Sequence, residues 1–286
     1  MFIIDGKSIA DKVQDEIVAE TFKIAQAALP RPNLAIILIG EREDSRLYVS
    51  LKQREAVKVG IDTHLYKLEE DVEESEVLQV VEFLNNDSTI DAILIQLPLP
   101  KHLNTDKILA KLDPEKDADG FLANKPDYVL SPVVASILRI LSEIAFVPQG
   151  KKACILHNSD IFGATVKETL EKFGLEVQAV SLKDFSIKNK EEQQKLFSKA
   201  QKTCLASDLI VSALGLVGFI DGTFVRDQAV VIDIGISKVD GKTRGDADFD
   251  SLAEKNIWLT PVPGGIGPMT IAMLFKNVLA IYNHKK

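Results

Sequence analysis

Short, almost wholly apolar runs alternate with longer amphipathic stretches from one end of this chain to the other. That alternation constrains the fold more than any other feature. Residues 33–39, Asn-Leu-Ala-Ile-Ile-Leu-Ile, are one such run. A strand that is apolar on both faces has to be covered on both faces, which is the condition of a parallel sheet flanked by helices. The stretches between the runs repeat at helical spacing. Residues 7–29 place Ile9, Val13, Ile17 and Phe22 near one stripe. Residues 45–59 form a second helix closed by Gly60, and residues 74–84 a third, with strands at 63–66 and 91–96 between and after them. A second series opens after Pro148, with strands at 152–156, 176–180, 208–211 and 229–233 and helices at 162–173 and 190–199. The expected fold class is α/β, with two α/β domains, the second a Rossmann-like doubly wound parallel sheet. A length of 286 residues suits two domains. The boundary falls between Pro132 and Gly150. The first domain takes residues 1–135 and is completed by a final helix over 268–286, with Pro268 in its first turn, where a missing N–H is harmless. The second takes 136–267.

Bulk properties narrow the function. A net charge of -8 repels phosphate backbones, so no nucleic-acid partner is expected. The two cysteines, Cys154 and Cys204, suggest no disulfide framework, and a reducing, cytoplasmic setting fits them. His64, His102, His157 and His284 have no ligand spacing, so no metal is expected. The opening residues are not a secretory leader, and no apolar stretch is long enough to cross a bilayer, so no membrane partner is expected. The terminal pair Lys285-Lys286 reads as a solvated tail.

Four local patterns carry chemistry. Tyr48 and Lys52 form a Y-x-x-x-K step that puts a phenol and an amine on one helix face, with Ser45 a turn earlier. A lysine held near an aromatic wall loses hydration and exchanges protons nearer neutral pH. Read alone, the step is more often an ordinary exposed lysine. Gln96-Leu97-Pro98-Leu99-Pro100 leaves a buried strand at its carboxyl end, where open α/β sheets place ligands, and Gln96 offers both a donor and an acceptor. It is equally a polar strand cap. Lys116-Asp-Ala-Asp119-Gly-Phe121 sets two carboxylates beside a glycine. Asp119 could receive the N–H groups of an amino-heterocycle, although an acidic turn is the commoner meaning of such a hexapeptide. Residues 260–270, Thr-Pro-Val-Pro-Gly-Gly-Ile-Gly-Pro-Met-Thr, combine backbone freedom with rigid flanks. They read as a ligand-approach loop rather than a simple interdomain turn.

Asp5-Gly6-Lys7, the Y-x-x-x-K step, Gln-Leu-Pro-Leu-Pro, Lys-Asp-x-Asp-Gly-Phe and Pro-Gly-Gly-x-Gly-Pro-Met-Thr follow one another in an order that resembles the bifunctional methylenetetrahydrofolate dehydrogenase/cyclohydrolase family over nearly the whole chain. The resemblance implies oxidation of 5,10-methylenetetrahydrofolate by hydride transfer to NADP, then hydrolysis of the methenyl product to 10-formyltetrahydrofolate, in one active-site cleft between the domains of a homodimer. By the same resemblance Lys52 is the catalytic lysine, Gln96 sets its protonation, Tyr48 stacks along the folate and Asp119 grips the pterin. Ile95, Leu97, Pro263, Gly264, Gly265 and Gly267 join them around the substrate. His157, Asn158, Ser159, Gly163, Ser181, Ala213, Gly215 and Ile236 fall at the nucleotide positions.

The chain also departs from that pattern. Where the family carries Gly-Arg-Ser-x-x-Val-Gly-x-Pro, this chain has His157-Asn158-Ser159-Asp160-Ile161-Phe162-Gly163-Ala164-Thr165. A guanidinium suited to the NADP ribose phosphate is gone, and Asp160 adds a charge of the opposite kind. Asp184 stands about where an NAD-type fold keeps its ribose-binding acid, or serves as a helix cap. The connection from Gly120 to Pro132 is short, and residues 129–134 replace the family's Pro-Cys-Thr-Pro-x-Gly. These changes leave NAD as an alternative cofactor. They also leave open three alternative functions: a cyclohydrolase alone, a folate-binding paralogue without turnover, and, more remotely, an unrelated nicotinamide dehydrogenase.

Overall fold

The computed structural model describes residues 1–122 and 126–285. In chain order it contains β1 (Phe2–Ile3), α1 (Gly6–Gln26), β2 (Asn33–Ile39), α2 (Glu43–Lys58), β3 (Asp62–Leu68), α3 (Glu74–Asn86), β4 (Ala92–Ile95), α4 (Thr105–Ala110) and α5 (Pro132–Glu143). It continues with β5 (Lys152–His157), α6 (Asp160–Lys172), β6 (Glu176–Ser181), α7 (Lys190–Leu205), β7 (Leu209–Ala213), β8 (Val230–Asp233), β9 (Ser237–Val239), β10 (Lys242–Arg244), α8 (Phe249–Leu252), β11 (Trp258–Leu259) and α9 (Ile266–His284). The chain divides into two α/β units. One joins Met1–Ile9 to Ser136–Met269, and the other joins Ala10–Ala135 to Thr270–Lys286. The short connection after Gly120 includes residues 123–125, and the C-terminal pair includes Lys286; these four residues lie outside the described ones.

The unit of residues 10–135 and 270–286 is built on a parallel sheet in the order β3-β2-β4. Its centre is the apolar run of β2, buried from Leu34 to Ile39, while the edge strand β3 has only exposed and half-buried positions. On α1, Val13, Ile17 and Ile24 are buried, but Phe22 is 61% exposed, against the expectation that it shares their stripe. The helical turn explains the correction: five residues beyond Ile17 is 140° off the stripe, and Thr21, four beyond, takes the inward position. The Thr21 hydroxyl donates to the Val59 carbonyl at 2.9 Å, tying α1 to the end of α2. Lys285 is not a free tail residue, because its ammonium donates to the carbonyls of Ile90 (3.3 Å) and Asp91 (2.8 Å) at the entry to β4.

The other unit is a six-stranded, all-parallel sheet in the order β1-β11-β8-β7-β5-β6. Strand order reverses at β5, with β6 on one side and β7 and β8 on the other, which defines the switch point of a doubly wound fold. The first residues, grouped by sequence with the other domain, pair here because β1 lies beside β11. The strands run one residue further than the apolar pattern indicates, so His157 and Ser181 are the last residues of β5 and β6 and are register partners. The β9–β10 hairpin turns at Asp240-Gly241, both at positive φ, as a two-residue hairpin requires. Cys154 and Cys204 are buried in this unit's core with their sulfurs 3.5 Å apart. Among the described residues no helix is long and apolar enough to cross a membrane, and no cluster of His, Cys, Asp and Glu suits a metal ion.

Candidate active site

A pocket of about 390 Å³ opens in the unit of residues 10–135 and 270–286. Three side chains from distant parts of the sequence carry its chemistry. Lys52 comes from α2, Gln96 follows β4 directly, and Asp119 lies on the loop after the 3-10 turn Pro114–Lys116. The Lys52 ammonium donates to Gln96 Oε1 at 3.0 Å. Gln96 Nε2 donates to the Leu97 carbonyl at 2.7 Å, so the amide oxygen is the atom left to face the amine. Burial pushes Lys52 below the usual lysine range, and the Asp119 carboxylate works against that shift. Asp119 is pushed up to about 6 by burial, with Lys52 pulling it down and Asp117 pushing it further up.

The loop that presents Asp119 is held from two sides. Asp117, wholly inside, accepts from the backbone N–H groups of Gly120 and Leu122, both at 2.9 Å. Asn277 of α9 donates to the carbonyls of Ala118 (2.8 Å) and Leu130 (2.7 Å), joining this loop to the segment that leads into α5. Sequence reasoning singled out neither residue. For Asp117 a local signal existed, since an Asp three residues before a glycine commonly accepts from that turn's backbone. Asn277 had none, because its partners are about 150 residues away in the chain. Much of the remaining wall is apolar, from Leu97, Pro98, Phe121, Pro132, Ile271 and Leu274, with Asp44, Ser45, Ser131 and Thr270 adding polar groups and Tyr48 lining it at 44% exposure. Such a slot accepts an aromatic heterocycle edge-on to a lysine and a carboxylate.

Of the other expected substrate residues, Leu97 lines the pocket, whereas the Ile95 side chain packs into the core with Ala35, Ile37 and Ile93. Pro263, Gly264, Gly265 and Gly267 belong to the other unit. There Val262–Pro263 is cis, Gly264 has φ +107°, and a Cβ on Gly6 would overlap the Gly265 carbonyl. Lys7 N–H donates to Gly264 O at 3.2 Å, so the N-terminal segment braces that loop.

The nucleotide positions gather at the carboxyl ends of the six-stranded sheet. The His157 ring is 6% exposed and lies against Gly163, where a Cβ would come within 2.6–2.7 Å of it. The imidazole therefore fills the contact between β5 and the first turn of α6. Among the described residues its buried Nδ1 has no hydrogen-bond partner. Asn158 Nδ2 donates to Leu214 O at 2.8 Å, and Ser159 caps α6 by accepting from Phe162 N–H at 3.4 Å. Ser181 Oγ donates to Asp160 Oδ1 at 3.3 Å. Ala213 ends β7, Gly215 follows it with φ +69° and accepts from Ser237 Oγ at 3.0 Å, and Ile236 is exposed. Asp184 has φ +58° and makes no side-chain capping bond. Two buried acids lie in segments, 230–236 and 245–249, that resemble the family but to which the sequence assigned no role. Asp233 accepts from Gly235 N–H (2.9 Å) and Ala247 N–H (2.8 Å). Asp246 accepts from Ser212 Oγ (2.7 Å), Leu214 N–H (2.7 Å) and Leu216 N–H (2.8 Å). Burial, reinforced by Asp246, pushes Asp233 up to about 7.

Comparison with known proteins gives a consistent result. The family model for the tetrahydrofolate dehydrogenase/cyclohydrolase catalytic domain matches residues 4–119, and that for the same family's NAD(P)-binding domain matches residues 131–286. A bifunctional protein FolD of Sulfurihydrogenibium sp. is 35% identical over 296 residues, covering 100% of this chain and 99% of that protein. The crystal structure of the Campylobacter jejuni bifunctional enzyme FolD superposes with a TM-score of 0.90 at 30% identity, covering 100% of both chains. The Trypanosoma brucei methylenetetrahydrofolate dehydrogenase-cyclohydrolase, complexed with NADP cofactor and inhibitor, does so with a TM-score of 0.88 at 30% identity, covering 100% of this chain and 98% of that one.

Proposed function

This chain belongs to the tetrahydrofolate dehydrogenase/cyclohydrolase family, and we propose that it oxidises 5,10-methylenetetrahydrofolate to methenyltetrahydrofolate with NADP and hydrolyses that product to 10-formyltetrahydrofolate. The observation that carries the reading is the contact of the half-buried Lys52 with Gln96 in a largely apolar slot that also holds the half-buried Asp119. The single-activity and non-catalytic alternatives are not favoured, since relatives matched along their whole length are named as bifunctional.

The chemistry follows from the charges. Loss of a hydride leaves the one-carbon bridge of the folate cationic, and an ammonium beside it would repel it. Burial disfavours the ammonium form of Lys52, and it is the neutral amine that tolerates the cation and takes a proton from the attacking water. Lys52 then returns that proton to the ring nitrogen as the carbon–nitrogen bond breaks, while the hydroxyl on the former bridge loses its proton to solvent and becomes the formyl carbonyl, so the charge of the cation leaves as a proton and the amine ends as it began. Gln96 holds the amine through a neutral carbonyl oxygen, which can accept an N–H from either form and adds no charge of its own. Asp119 receives the pterin N–H groups, and the Tyr48 ring covers the aromatic face.

The residues of the second unit fit a nicotinamide dinucleotide by their donor set. NADP supplies the hydride acceptor when bound. The first turn of α6 follows the switch-point strand, and the N-terminus of a helix favours an anionic group. The His157 ring, buried against Gly163, lies beneath that turn. We further propose that the protein acts in the cytoplasm as a homodimer. Supporting this are its free thiols and the exposed, stacked Phe2–Trp258 pair (5.1 Å) at the edge of the six-stranded sheet.

Spectroscopic assays of both half-reactions test the reading. Purified protein should reduce NADP when given methylenetetrahydrofolate and should discharge the absorbance of methenyltetrahydrofolate; failure of both would reject it. A pH dependence follows as well. Asp119 is an ionised acceptor only above about pH 6. Affinity for a folate analogue, followed by fluorescence titration, should therefore fall below that pH by up to about tenfold per unit, while Asp119→Asn should give a flat and weaker profile. A wild-type profile flat down to pH 4 would remove Asp119 from the pterin contact.

A further inference from the structure

We propose that Asp160, held by Ser181, sets the choice at the ribose end of the dinucleotide and lets this chain take NAD alongside NADP. The proposal rests on the nucleotide-binding reading above and deepens it.

In a doubly wound sheet the dinucleotide crosses the carboxyl ends of the strands at the switch point, here between β5 and β7, and its adenosine ribose falls beside the next strand outward. That strand is β6, and Ser181 is its last residue, in register with His157 at the end of β5. Asp160 opens α6 immediately beyond β5. The 3.3 Å bond from Ser181 Oγ to Asp160 Oδ1 therefore fixes a carboxylate at the ribose position from the β5 side. Such a carboxylate accepts from the ribose hydroxyls of NAD and repels a phosphate bearing nearly two negative charges.

No lysine or arginine on the same turn offsets that repulsion. The Asn158 side chain is engaged with the Leu214 carbonyl at 2.8 Å, on the β7 side of the turn. The His157 ring is buried beneath α6. Lys183 is exposed two residues beyond Ser181 and offers a positive charge to a phosphate, but Asp184 follows it directly. The site therefore tolerates the 2′-phosphate without being built for it, and Asp160 is the group that sets the balance.

Equilibrium titration of NAD and NADP into the full-length protein, without folate, tests this apart from turnover. Asp160→Asn keeps the side-chain shape and removes the charge, and Asp160→Ser removes the acceptor pair as well. Both should raise NADP affinity relative to NAD by about tenfold at low salt, with the gain shrinking as salt screens the exposed charges. An affinity ratio that ignores residue 160 in both variants would overturn the proposal alone. Absence of binding by either nucleotide to the wild-type chain would overturn the dehydrogenase reading and the proposal with it.

Discussion

Lys52→Met is expected to slow methenyltetrahydrofolate hydrolysis by about 10²–10⁴-fold, the usual contribution of one proton-transfer group. Methionine matches the length of the lysine stem and needs no hydration, so the variant should fold at least as well as the wild type. Burial that lowers the lysine's pKa also means the ammonium is an electrostatic liability in the native state. The sign of that effect is fixed: the unfolded chain holds this proton more tightly than the fold does, so lysine at this position costs stability below its ordinary pKa. A melting temperature equal to or above that of the wild type, combined with lost hydrolysis, would separate chemistry from folding. The dehydrogenase step transfers a hydride and asks no proton of Lys52, so NADP reduction should fall much less. Gln96→Leu should give a milder form of the same split, because it removes the acceptor at 3.0 Å but leaves the amine in place. An unchanged hydrolysis rate in Lys52→Met would take Lys52 out of the mechanism.

What could be read from the sequence, and what could not, divides along a physical line. The buried strands β2, β4, β5, β7 and β8 announce themselves because a strand covered on both faces is written as a nearly continuous apolar run, with polar residues confined to its ends. Lys52, Gln96 and Asp119 were legible because each lies in a compact local motif, and the fold brings the three motifs to one pocket. Residues whose meaning lies in distant partners stayed hidden. Asn277 looks like one more polar position on α9 until Ala118 and Leu130 are seen beneath it. Lys285 resembles a tail until its ammonium is found on the Ile90 and Asp91 carbonyls. The two-residue strands β1 and β11 are too short for any period to show, and they exist because each completes the other's backbone pairing. The β9–β10 hairpin did have a signal, Asp240-Gly241, but its three-residue strands carry no alternation.

Asp246→Ala should destabilise the nucleotide-binding unit by about 3–5 kcal/mol, the sum expected when several buried donors lose one shared acceptor. Its carboxylate receives the Ser212 hydroxyl and the N–H groups of Leu214 and Leu216, all within 2.8 Å and all at the exit of β7. Alanine leaves these donors facing one another around a void. The packing admits no easy repair: a Cβ on Gly235 would overlap the Asp246 carboxylate, and one on Gly245 would overlap Asp233, so the two acids interlock through positions that only glycine can occupy. A drop of this size lowers the melting temperature by roughly 10 °C in a unit of this length. Nucleotide affinity should fall with it, because residues 214–216 border the switch point. Asp246→Asn should fall between, since an amide keeps one acceptor but turns a donor toward other donors. The pH dependence supplies an independent check. Asp233 titrates at about 7 in the fold against 3.8 ordinarily, so between these values the fold holds a proton that the unfolded chain has released. Stability should therefore fall as pH rises from about 4 to 7. Removing Asp246 takes away one of the forces raising Asp233, so the slope should flatten in the variant. Melting of Asp246→Ala within about 2 °C of the wild type, with the slope intact, would mean that the β7 exit does not depend on this carboxylate.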